Sequence, residues 1–180
     1  MKKMLLFTAA VSIVIASVAQ ADSTESYYLE EPSISLDLPA SVWHQPLRQE
    51  TNRLVVYIFK REPVKDPDNR QVIPNIAVIT ETIPEESDVV TYSIQKKSKT
   101  PFDIDEVFTL DDGWITYLNA IGYKGSYIDD NSLPHTIFMV YAIHATKGIQ
   151  IILDTTTGTY DQIEKEFFIV LKSIRSGSEN

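Results

Sequence analysis

Hydrophobic and polar positions alternate from Ser33 to Leu38. Ile34, Leu36 and Leu38 fall on one side and Ser33, Ser35 and Asp37 on the other, the two-residue period of a half-buried strand. Pro39 ends that strand and Trp43 follows in a turn. From Arg53 to Arg61 the run Leu54-Val55-Val56-Tyr57-Ile58-Phe59 is apolar on both sides, which predicts a central strand covered on both faces. Residues 62–74 hold Pro63, Pro67 and Pro74 around an Asp-Pro-Asp-Asn run and predict an exposed loop. Asn75 to Ile83 reads as a third strand.

The period then changes. Ser87 is placed to cap a helix, with Asp88 in its first turn. Val90, Ile94 and Lys97 share one helical face, with Val89 and Ser93 beside it. Lys96, Lys97 and Lys99 gather at the C-terminal end, where the helix dipole favours cations. Residues 103–120 fit neither period. Gly122–Asp129, His135–Ala145 and Ile149–Thr155 read as strands, the last two joined by a Thr146-Lys147-Gly148 hairpin. Thr159-x-x-Gln162 has the pattern of a capping box. It opens a final helix with Ile163, Phe167, Val170, Leu171 and Ile174 on one face. Six strands with short connections favour antiparallel pairing, and two amphipathic helices can cover such a sheet. The expected fold is an α+β layered sandwich, with one domain over 32–176, a flexible segment at 22–31 and a flexible C-terminus at 177–180.

The ends and the charge set the compartment. Lys2 and Lys3, an apolar stretch from Leu5 to Val18 and Ala19-Gln20-Ala21 have the order of a cleavable secretory signal over 1–21. The apolar stretch is shorter than the roughly 20 residues of a membrane span, so no stable insertion is expected after cleavage. The 180-residue chain carries 16 basic and 25 acidic side chains, a formal charge of −9, and the leader holds two of the bases and none of the acids. So acidic a surface argues against nucleic acid and anionic lipid as partners. There is no cysteine, which excludes disulfides, thiol catalysis and a lipid-modified N-terminal Cys. A soluble bacterial periplasmic or released protein is expected.

Three stretches resemble the PsbP/Mog1-like superfamily: the Ile34-Ser-Leu-Asp-Leu-Pro39 opening followed by Trp43, the long hairpin from His135 to Thr155, and the closing helix from Tyr160 to Ile174. That resemblance implies a central antiparallel sheet with helices on both faces. It also implies a non-enzymatic accessory or binding module, as in photosystem extrinsic subunits, envelope proteins and secretion chaperones. It carries no functional residue over to this chain.

Candidate chemistry is sparse. His135 and His144 are an odd nine apart on one strand, so they face opposite sides and cannot pair on a metal. The acidic runs at Asp66-x-Asp68 and Asp103-x-Asp105 lack the glycine and closing glutamate of a calcium loop. No nucleophile elbow, zinc-protease or phosphate-loop motif occurs. Aromatic residues are in surplus, and Tyr and Trp are favoured where a surface binds another protein. The expected site is therefore an aromatic and acidic patch of Asp111, Asp112, Trp114, Tyr117 and Tyr123, with Trp114 as the exposed contact. The expected function is an exported, non-enzymatic accessory protein of the cell envelope that binds a secreted or envelope protein and needs no cofactor. Two alternatives stand beside it: a metal-assisted hydrolase using His135 or His44 with loop carboxylates, and a carrier with an apolar pocket between helix and sheet.

Overall fold

A computed structural model describes residues 23–177. The secretory signal expected over 1–21 and residues 178–180 lie outside them. Twelve strands are described: β1 (Thr24–Leu29), β2 (Ile34–Pro39), β3 (Leu47–Glu50), β4 (Leu54–Lys60), β5 (Val64–Lys65), β6 (Gln71–Val72), β7 (Asn75–Thr82), β8 (Asp103–Phe108), β9 (Ala120–Ile128), β10 (Pro134–His144), β11 (Lys147–Thr156) and β12 (Arg175–Ser176). The helices are α1 (Val89–Lys97) and α2 (Tyr160–Ser173), with single 3-10 turns at Leu110–Asp112 and Thr157–Thr159.

The α+β class is as expected, but the main sheet has seven strands rather than six, all antiparallel, in the order β3-β4-β7-β11-β10-β9-β8. The first predicted strand, β2, is not in it. β2 pairs with β1 and β12 in a separate three-stranded sheet. That pairing corrects the expectation of a flexible segment at 22–31. Tyr27 and Leu29 alternate inward and are buried, and the Tyr27 ring meets Phe59 edge-on at 5.3 Å.

The small sheet and α2 together cover one face of the main sheet. Ile34, Leu36, Leu38, Phe59, Ile76, Val78, Phe138, Ile151 and Leu153 form that core with Ile163, Phe167, Val170 and Leu171 of α2. The predicted inward face of α2 is thus the observed one. Its predicted cap is not: the Thr159 hydroxyl is used by Thr155 at 2.7 Å and by the Thr156 carbonyl at 3.0 Å, and makes no cap bond to the helix.

On the opposite face, among the described residues, the nine residues of α1 cover Ile137, Met139, Tyr141 and Ile143 together with Phe102 and Ile83. Here the periodicity misled. Val90 and Ile94 are 53% and 59% exposed, while Tyr92 and Ser93 point inward. A hole over Gly148 decides the rotation, because the Tyr92 ring fills the space where a Cβ would stand. The Tyr92 hydroxyl donates to Glu81 at 2.9 Å, and Ser93 meets the Tyr123 hydroxyl at 3.1 Å. The cap is Asp88 rather than Ser87, its carboxylate accepting from Thr91 N at 2.9 Å. Gly148 and Lys147 accordingly belong to β11, and the β10–β11 turn is Ala145-Thr146, with Ala145 at φ 50°.

Candidate partner-binding edge

The stretch from 103 to 119, ambiguous in sequence, forms one edge of the sheet and the crossover that leaves it. β8 pairs with β9 on one side only, and no strand lies on its other side among the described residues. Its register slips at Asp105: Ile104 faces Gly125 and Glu106 faces Lys124, so Asp105 is the extra residue of a bulge. Both ends of the strand are pinned by an aromatic ring over a glycine of β9. Phe102 lies over Gly125 and Phe108 over Gly122, where added Cβ atoms would stand 2.7 and 2.0 Å from the rings. Phe102 belongs to the core under α1 and Phe108 to the core under α2, so the two pins grip from opposite faces.

This edge is acidic and apolar at once. Asp103, Asp105, Glu106, Asp111 and Asp112 are all exposed, and no Lys or Arg occurs from 101 to 119. Among the exposed large hydrophobic side chains are Ile104, Val107, Leu110 and Leu118, the last 83% accessible. Asp112 is partly committed, accepting from Thr109 N at 2.7 Å across the 3-10 turn, which Gly113 closes at φ 70°. Asp111 is free of such a bond among the described residues.

The aromatic residues expected to share this surface do not converge on it. Trp114 is half-buried rather than exposed, with its ring 4.9 Å from Phe108, 5.1 Å from Phe168 and 6.2 Å from Phe138. Three phenylalanines from β8, β10 and α2 meet at that corner, and an indole fills it. Tyr117 is buried, and burial pushes its phenol up; its hydroxyl lies 2.8 Å from Nδ1 of His144. Tyr123 is on the other face of the sheet, under α1. Of the five expected site residues, Asp111 and Asp112 stay on the surface and Trp114 and Tyr117 back it. What pattern reading missed were Ile104, Val107, Leu110 and Leu118, whose only signal was apolar residues interleaved with acids in a stretch of no clear period.

Beneath the edge lies Lys124, opposite Glu106. Its ammonium is 4.8 Å from the Tyr160 ring centre, 5.5 Å from Phe138 and 6.0 Å from Trp114, within cation–π range of all three. Burial, then the hydrogen bond to Glu164, pushes the Tyr160 phenol up.

Each histidine makes a polar side-chain contact. His135 does meet two carboxylates: Nδ1 is 3.0 Å from Asp154, and Nε2 is 3.7 Å from Asp129. The Tyr127 ring stacks on the imidazole at 4.8 Å, and its hydroxyl reaches Asp154 at 3.2 Å. Asp129 is further engaged by the backbone amides of Leu133 and Asn131 at 2.8 and 2.9 Å. The cluster closes the β9–β10 turn. His44 lies apart at the surface, 3.1 Å from Glu62. No group of three or more His, Asp or Glu is placed to hold a metal among the described residues. Two clefts open to the surface differ in lining, the first predominantly polar and the second mixed. One of about 340 Å³ is lined by Glu31, Glu50, Arg53, Thr80 and Lys147, and one of about 400 Å³ by Tyr117, Leu118, Ile143, Ile174 and Arg175. No helix of the described residues is long and apolar enough to cross a membrane.

No protein-family model matches this chain, and no curated protein matches its sequence. Its backbone is similar to solved structures. Cyanobacterial PsbP (CyanoP) from Synechocystis sp. PCC 6803 superposes with a TM-score of 0.50 at 13% identity, over 91% of this chain and 98% of that one. LpqN, involved in cell envelope biogenesis of Mycobacterium tuberculosis, superposes with a TM-score of 0.49 at 14% identity, over 84% of this chain and 89% of that one. At 13% identity the likeness to CyanoP is one of fold, and it extends over most of this chain.

Proposed function

We propose that this chain is an exported, non-enzymatic accessory protein of the bacterial cell envelope that holds a protein partner on the β8 edge and the crossover at 109–119. The carrying observation is the coincidence there of five exposed acids, no base within residues 101–119, and four large exposed hydrophobic side chains, two of them on a strand pinned at both ends. Exposed large apolar side chains among polar ones are what protein-binding surfaces present. The charge-bearing, Ala-rich leader pattern of residues 1–21 supports export. The PsbP-like fold is compatible with a binding role without specifying one.

In-cell photocrosslinking tests the proposal. A crosslinking amino acid at Val107 or Leu118 in the full chain should capture one dominant envelope or secreted protein. The same group at Gln49, on the far edge of the sheet, should not. Equal capture from all three positions, or none from Val107 and Leu118, would remove this edge as the binding surface.

A further inference from the structure

We infer that the partner adds a strand to β8: an extended segment rich in Lys or Arg and apolar residues pairs with its free backbone. This rests on the edge being the binding surface, and it specifies how that surface is used.

An edge strand offers a row of unpaired N–H and C=O groups, and an extended peptide can satisfy them. Here the template is fixed in advance, since Phe102 over Gly125 and Phe108 over Gly122 hold both ends of β8. Little ordering is then required of this side of the complex. The bulge at Asp105 brings Ile104 and Val107, three residues apart, to the same face of the sheet. On that face α1 packs over β9 and β10, and its Lys97 reaches over Phe102 at 5.3 Å, next to the start of β8. A docked strand thus finds backbone partners on β8 and the exposed side chains of Ile104 and Val107 to pack against.

Charge selects the occupant. Asp103, Asp105 and Glu106 line the strand, while the nearby bases Lys97 and Lys124 are held over aromatic rings. A second copy of β8 would bring these acids against themselves, and like charges directly opposed are destabilising. A cationic strand is attracted and steered by the same acids. The other edge, β3, has four residues, and its Arg48 and Glu50 pair at 2.7 Å, so it offers neither feature.

The test uses the full chain, 15N-labelled, with synthetic peptides of alternating Lys and Val as long as the six residues of β8. The Lys/Val peptide should bind saturably and shift the amides of 103–108. N-methylating alternate peptide nitrogens should weaken binding at least about tenfold, or roughly 1.4 kcal/mol. Asp105→Lys with Glu106→Lys should weaken the Lys/Val peptide and gain binding of a Glu/Val peptide, a gain that unfolding does not produce. If no shift occurs at β8, if the N-methylated peptide binds as well, or if charge reversal leaves the preference unchanged, strand addition is overturned and the acids only guard the edge. Capture at Val107 without peptide binding would leave the binding surface standing and remove strand addition. Peptide binding at β8 without capture in cells would remove the proposed function instead.

Discussion

Phe108 crosses Gly122 so closely that a Cβ on the glycine would lie 2.0 Å from the ring. The edge strand therefore sits where it does because its neighbour lacks a side chain. Gly122→Ala should destabilise the fold by about 3 kcal/mol, an overpacking effect in a filled core. Urea melts measure it. Phe108→Leu in the same chain should recover part of the loss, so that the two changes are less than additive. Additive losses would show that the ring and the glycine are not coupled.

Trp114 belongs to the same corner. Truncation to Ala removes contacts with Phe108, Phe138 and Phe168 and should cost about 3 kcal/mol, in the range for a packed aromatic. Leu118→Ser, at a side chain 83% exposed, should leave the melting temperature within about 1 °C and reduce partner capture. A stable Trp114→Ala variant would return the indole to the surface role that the sequence alone assigns it.

Glu166 on α2 joins two distant parts of the chain. It accepts from the indole of Trp43 at 2.8 Å and from both Nε and Nη2 of Arg61, at 2.9 and 2.8 Å. The Arg61 and Glu166 side chains are 13% and 16% accessible, so removing one partner leaves a charge largely out of water. Glu166→Ala should therefore destabilise by about 3 kcal/mol, measured by chemical denaturation. Trp43→Phe, which keeps an aromatic ring but removes the donor and part of the buried indole, should cost at least about 1 kcal/mol.

Acid should loosen the β9–β10 turn. The Leu133 amide first, then Asn131 and His135, hold the Asp129 carboxyl below its ordinary value of 3.8. A carboxylate whose folded pKa is depressed contributes stability above its unfolded pKa and loses that contribution as pH falls through the folded value. Asp37, where bonds from Arg175 and Ser26 outweigh the upward push of burial, acts in the same direction. Thermal stability should fall as pH drops below about 4. Asp129→Asn should be less stable than wild type at neutral pH and show a shallower decline in acid. Parallel curves for the two proteins would place the acid sensitivity elsewhere.

The strands with clear alternation, the inward face of α2 and the acidic balance are legible in the sequence, because these depend on period and composition alone. Fourteen residues of α2 carry enough turns for a periodic stripe to be read, and Ile163, Phe167, Val170 and Leu171 are buried as that stripe requires. Nine residues of α1 do not, so a single contact, Tyr92 in the hole above Gly148, outweighed Val90 and Ile94 and turned them to solvent. Long-range pairing makes 103–108 an edge, sets Trp114 into a corner between three phenylalanines, and puts Tyr123 across the sheet from it. Each of these follows from which segments pair, over separations a local pattern does not span. Trp43 and Glu166, 123 residues apart in sequence, meet only once the chain has folded.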